Sequence, residues 1–289
     1  MISFMKQKAA ALVQRINANG GIFGYFLIKD HFYQPIPHTK KLLENDSTFS
    51  YQYSPEGFDL RVEEQKQLLR NLSVADFKAS NVHKDGHYYT ENGMFGYADS
   101  AAYFSIIKMF KPNKIIEIGA GNSTVVATMA ATALNKNIEI TAIEPYPSST
   151  LLKLSDKIDL IQQQVQKLPL NIFNTLEEND ILFIDTSHVI KTKNDVVYLY
   201  LEVIPRLKRG VIIQIHDISL PYEVHPATFR AGFFWTEQYL LLAMLTHTTR
   251  YEILYAGYYM NKDHFDLVRK AFPDVIAGKC GGSFWIKVK

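Results

Sequence analysis

From Lys114 onward the chain alternates short β-branched runs with longer segments whose apolar positions recur every three or four residues. The runs "KIIEIG", "NIEITAIE", "KIDLIQ", "DILFID" and "GVIIQIH" are apolar on both faces, as strands buried in a parallel sheet are. Between them "STVVATMAATAL" and "KNDVVYLYLEVIPRLK" carry helical spacing. Near the end, "RYEILYAGYYM" and "GSFWIKVK" read as two more strands around a helix at "HFDLVRKAF". The pattern predicts a doubly wound, mostly parallel seven-stranded α/β sheet.

Residues 1–97 follow no such alternation and predict a helical and irregular N-terminal cap over a sheet domain at 98–289. Helices are expected near "QKAAALVQRI" and "EEQKQLLRNL", with "HFYQPIP" extended by its prolines and packing the cap onto the sheet. The helix "YADSAAYFSIIKMF" leads into the first strand, with "KPNK" as its stop. After the fifth strand, "DISLPYEVHPATFRAGFF" reads as a long irregular loop, a length usually tied to function or disorder, followed by a helix at "WTEQYLLLAMLTHT".

Composition narrows the partners. A net charge of +2 supplies no field for a nucleic-acid backbone, so a small molecule is the expected partner. Charged residues interrupt the N-terminal apolar positions, and no run approaches the roughly 20 apolar residues of a membrane span. One cysteine, Cys280, excludes an intrachain disulfide and a multi-cysteine zinc site and suits a reducing, cytoplasmic setting. The aromatic content permits a homo-oligomer without requiring one.

The first strand ends in Glu117-Ile118-Gly119-Ala120-Gly121. Ligands of open parallel sheets bind beyond such carboxyl ends. The glycines permit positive φ and close backbone approach, and Asn122 or Ser123 would cap the next helix. Thr124 stands where a dinucleotide fingerprint needs its third glycine, which weakens a dehydrogenase reading. Glu117 would repel a pyrophosphate but meet an ammonium group, and Glu144, ending the second strand, suits two ribose hydroxyls. Together they point to a nucleoside that carries an amino acid.

A second constellation lies at the ends of strands four and five, in "DILFIDTSH" and "VIIQIHDISLP". Asp185, His188, His216 and Asp217 converge there. Carboxylates suit Mg²⁺, which can hold substrate oxygens, and a neutral imidazole can take a hydroxyl proton.

These motifs resemble the class I S-adenosylmethionine-dependent methyltransferases, over residues 98 to 288. That resemblance implies a Rossmann-like methyltransferase fold. It places Glu117, Gly119 and Gly121 at the methionine moiety and Glu144 at the ribose, with Ala120, Asn122, Ser123 and Asp185 also among the cofactor-binding residues. Asp185-x-x-His188 is similar to the metal-dependent O-methyltransferases of macrolide sugars and to the cephalosporin hydroxylase group. That likeness implies Asp185 and Asp217 as ligands of Mg²⁺ or another divalent metal, and His188 as base. His216 stands where related sites often present an oxygen ligand. It is a ligand to a transition ion, the base itself, or a donor behind the ligands.

Expected acceptor-side residues are Tyr222, His225, Arg230 and Trp235 in the long loop, and His87, Tyr88 and Tyr89 before the first strand. The expected activity is O-methylation of a small hydroxylated or sugar-containing molecule, possible with metal assistance. The alternatives are a metal-dependent hydroxylase on the same fold and a non-catalytic scaffold.

Overall fold

All seven apolar runs join one sheet. The computed structural model describes residues 11–18, 23, 25–28, 33–44, 47–79 and 88–289. The strands are β1 (Lys114–Ile118), β2 (Glu139–Ile143), β3 (Asp159–Ile161), β4 (Ile181–Ile184), β5 (Ile212–Ile215), β6 (Tyr251–Ala256) and β7 (Phe284–Val288). Their spatial order is β3-β2-β1-β4-β5-β7-β6, parallel except for β7, which runs antiparallel between β5 and β6.

Alternation along each strand feeds two cores, which is why both faces of the runs are apolar. On one face Ile115, Phe183 and Trp285 meet Ile106 and Ile107 of α2 (Tyr97–Phe110) and Val126 of α3 (Asn122–Leu134). On the other, Ile116, Leu182 and Ile213 meet Leu199 and Val203. The N-terminal segment is fastened by α1 (Val62–Asn71), whose buried Gln65 accepts the Ala256 N–H through Oε1 at 2.7 Å. Arg61 pairs with Glu252 at 2.8 Å, and Tyr53 donates to Glu223 at 2.6 Å. No helix among the described residues is long and apolar enough to cross a membrane.

Four local expectations need correction. "KNDVVYLYLEVIPRLK" is not one α-helix: α4 (Asp195–Tyr198) widens into a π-helical stretch at Leu199–Val203 and tightens into a 3₁₀ turn at Ile204–Arg206. Pro205 has no N–H for a regular ladder, and the widened turn absorbs the mismatch. The loop after β5 is partly regular, containing α5 (Pro226–Arg230) and a bridge from Tyr222 to Gln52. The following helix, α6 (Glu237–Leu245), starts after Trp235 and Thr236. The "GYYM" that seemed to extend β6 opens α7 (Gly257–Asp263), followed by α8 (Phe265–Ala271). Of the expected N-terminal elements, residues 11–18 are helical; residues 1–10, and His31 and Phe32 of "HFYQPIP", lie outside the described residues.

Candidate active site at the carboxyl edge of the sheet

β1 and β4 deliver the turn and the acidic cluster to the same edge. Gly119 has φ +76°, and a Cβ there would sit 1.8 Å from the Asp185 carbonyl oxygen. The two strand ends are locked by Gly119 N–H to Ile143 O at 3.1 Å and Asp185 N–H to Ile118 O at 2.8 Å. Neither Asn122 nor Ser123 is the helix cap. Gly121 holds that position, and its N–H donates to the Thr124 hydroxyl at 3.0 Å. Around Gly121 an added Cβ would meet no atom within 4 Å. Glu144 is half-buried, and its carboxylate accepts the Tyr146 N–H at 2.8 Å.

Glu117 is fully buried, with Tyr103 donating to Oε1 at 2.7 Å and Thr124 donating to Oε2 at 2.5 Å. Thr124 therefore relays the acid to the turn: it accepts from Gly121 and donates to Glu117. Burial pushes the carboxyl up from 4.5 to about 7, against the pull of the two hydroxyls and with the charge of Asp185 adding to the rise. Because the folded value is raised, the stability it contributes is fully present below 4.5 and is lost as pH rises through 7. The stability of the parent relative to Glu117→Gln should fall by roughly 2–3 kcal/mol between pH 5 and pH 8 in urea unfolding. A pH-independent difference would show that Glu117 keeps an ordinary value.

His188 lies at the centre of the second cluster, in a left-handed conformation with φ +56°; Asp217 shares it at +58°. Such backbone at non-glycine residues is uncommon and concentrates at functional sites. Nε2 of His188 is 3.2 Å from Asp185 and 3.5 Å from Asp217, while Nδ1 is 3.0 Å from Glu237. Burial alone pulls this imidazole down, but hydrogen bonds to Asp185 and Glu237 hold it up at about 10. Burial likewise opposes the lowered value of Asp185, which neighbouring His216 and His188 maintain; for Asp217 burial prevails and raises it. Both ring nitrogens of His188 thus face carboxylates, Nδ1 toward Glu237 and Nε2 toward Asp185 and Asp217.

Among the described residues, Asp185, His188 and Asp217 present ligand atoms within 4.8 Å of one another. His216, expected among the ligands, is not in that group. Its N–H continues the ladder to Ile184 O at 2.9 Å, which turns the ring onto the Gln214 face, against Phe95 at 5.3 Å. Its Nε2 is 3.6 Å from Asp217. Burial opposes its raised value, which Asp217, Asp185 and Asp99 sustain.

A cleft of about 290 Å³ adjoins the cluster, lined by Asp99, His216, Asp217, Trp235, Tyr258 and Cys280 among others. Trp235 also lies against the His188 ring at 4.6 Å. His225 borders the cleft while its Nδ1 accepts the Ala227 N–H at 3.2 Å; Arg230 is exposed on α5. Two acceptor-side expectations fail. Tyr88 is buried and donates to Phe95 O at 2.9 Å, and Tyr222 is buried and donates to Asp263. Tyr89 is half-buried, and His87 lies outside the described residues. Burial pushes the half-buried Cys280 thiol up, in keeping with an inert residue. Glu237 and Asp99 escaped sequence reasoning. Each is one acid in the first turn of a helix, which ordinarily reads as helix-end charge.

Residues 116–218 match the family described as "Methyltransferase domain". An uncharacterized protein of Archaeoglobus fulgidus is 37% identical over 163 residues, covering 52% of this chain and 74% of that one. Solved structures give lower similarity. The SAH-bound Podospora anserina methyltransferase PaMTH1 is 14% identical with TM-score 0.42, covering 90% of this chain and 99% of its own. The plantazolicin methyltransferase BpumL, in complex with a triazolic desmethylPZN analog and SAH, is 15% identical with TM-score 0.44, covering 68% and 86%. A cmcI structure with Mg-SAM is 14% identical with TM-score 0.39, covering 74% and 82%.

Proposed function

The chain belongs to the class I S-adenosylmethionine-dependent methyltransferases, and on that premise we propose that it methylates a hydroxyl oxygen of a small acceptor, assisted by a divalent metal. The supporting observation is that the Gly119 turn and the Asp185, His188 and Asp217 cluster share one sheet edge, with Gly119 packed on the Asp185 carbonyl.

The residues fit both absent groups. The backbone of Gly119, Ala120 and Gly121, with Asn122 and Ser123 opening α3, would cradle the methionine end, and Glu144 would accept the ribose hydroxyls. Glu117 supports the cradle through Thr124. S-adenosylmethionine would supply an activated methyl group, and Asp185, His188 and Asp217 would hold a divalent ion able to lower the pKa of an acceptor hydroxyl.

The acceptor enters the cleft between Trp235 and Tyr258. His216, which borders that cleft, would take the hydroxyl proton from its neutral form. Trp235 screens the cluster from water along the ring of His188. Two carboxylates and one imidazole are not the two-imidazole, one-carboxylate set of non-haem iron oxygenases, so the donor set does not favour a hydroxylase.

Calorimetric titration of S-adenosylhomocysteine, with Mg²⁺ or Mn²⁺ and again with chelator, tests the reading. Binding in the micromolar range is expected, weakened at least about 10-fold, or 1.4 kcal/mol, in Glu144→Ala. Absence of binding in every buffer would overturn the methyltransferase assignment.

A further inference from the structure

Glu237 is more deeply buried than a surface helix-end acid, at 1% exposure, and it grips His188 twice. Its backbone N–H donates to the His188 carbonyl at 3.1 Å, alongside Thr236 N–H at 2.8 Å. Its side-chain Oε2 lies 3.0 Å from His188 Nδ1 and accepts the Thr186 hydroxyl at 3.1 Å. Trp235 covers the ring at 4.6 Å. The imidazole is thus fixed in position, tilt and hydrogen-bond direction, with Nε2 toward Asp185 and Asp217.

This arrangement is costly unless it serves something. Glu237 Oε1 makes no close hydrogen bond among the described residues, with the buried Tyr200 hydroxyl as its polar neighbour, and taking a carboxylate out of water is costly. A carboxylate behind a histidine is also the usual device that holds the Nδ1–H tautomer and leaves Nε2 as a metal ligand. Mg²⁺ gains little from such a ligand, since imidazole suits first-row transition ions.

We propose that Glu237 is a positioning residue that makes His188 Nε2 the third ligand of a site built for a transition metal ion such as Fe²⁺ or Co²⁺, rather than for Mg²⁺. The inference rests on the metal site of the proposed function, and it adds the ion class and the residue that selects it. Asp185 and Asp217 would supply the other two ligand atoms, both carboxylate oxygens.

The test uses the full chain with Mn²⁺ as probe. Electron spin echo spectroscopy of the Mn²⁺-loaded protein should show modulation from a directly bonded ¹⁴N, absent in His188→Ala. Glu237→Gln should weaken Mn²⁺ binding about 10- to 100-fold, and it should disturb the nitrogen signal. Co²⁺ should bind at least about 100-fold more tightly than Mg²⁺ in the parent, and that preference should shrink in Glu237→Gln. Thr186→Val, which leaves the carboxylate but removes the hydroxyl that holds it, should give an intermediate loss and serves if Glu237→Gln does not fold.

A parent without bonded nitrogen, no Mn²⁺ binding, or unchanged affinity and signal in both variants would overturn the proposal. S-adenosylhomocysteine titration of the same samples separates the two readings. Intact cofactor binding without nitrogen ligation sinks only the metal proposal, and nitrogen ligation without cofactor binding sinks only the methyltransferase reading.

Discussion

Replacing Gly119 by alanine should abolish measurable S-adenosylhomocysteine binding, a loss of more than about 100-fold, or 3 kcal/mol. Two independent causes act at this position. The left-handed backbone at φ +76° costs an L-residue roughly 1–2 kcal/mol. The new Cβ would also stand 1.8 Å from the Asp185 carbonyl oxygen, which belongs to backbone and cannot swing aside. Relief requires separating the ends of β1 and β4, which strains the Asp185 N–H to Ile118 O bond and displaces Asp185. Gly121→Ala makes an informative partner. Its Cβ would meet nothing within 4 Å, so stability should change by less than about 1 kcal/mol, and any loss of binding reports directly on space the ligand needs. A Gly119→Ala chain that bound like the parent would remove the turn from the site.

Asp180→Ala should lower the unfolding free energy by about 4 kcal/mol, because charge-assisted hydrogen bonds contribute roughly 1.5–3 kcal/mol each and are not additive. The residue is 2% exposed and clasps the entry of β1: Oδ1 accepts the N–H groups of Asn113 and Lys114 at 2.9 and 2.8 Å, and Oδ2 accepts Glu177 N–H at 2.9 Å. Alanine leaves all three N–H groups without their side-chain acceptor at the entry of β1. Asp180→Asn keeps one acceptor oxygen and should lose about half as much. Urea unfolding followed by circular dichroism measures both; a loss below 1 kcal/mol for alanine would mean that water replaces the clasp.

The sheet was legible in the sequence because strands covered on both faces need no alternation, and runs such as "DILFID" have few other uses. The glycine turn was legible in part: Gly119 takes the positive φ expected of it, +76°, although Gly121, expected to share it, is extended at φ 173°. The separate roles of His188 and His216 were not. Both follow strands by a few residues, but His216 continues the β5 ladder and is forced onto the Gln214 face, whereas His188 leaves β4 and turns back through a left-handed backbone. Glu237, 49 positions beyond His188, reaches it only because α6 begins beside the β4 loop. The π-helical stretch before Pro205 and the burial of Tyr88 and Tyr222 were hidden likewise, since spacing alone does not reveal which ring faces the core.

The two tryptophans of the chain are placed very differently. Trp285 is fully buried in the sheet, whereas Trp235 lies 4.6 Å from the His188 ring and lines the acceptor cleft. Their emission should therefore separate into a blue-shifted, invariant component and one that senses the cluster. A paramagnetic ion on His188 would quench the second, and an acceptor in the cleft would shift its wavelength. The protein carries its own optical reporter, able to follow metal loading and acceptor screening without a label or a turnover assay.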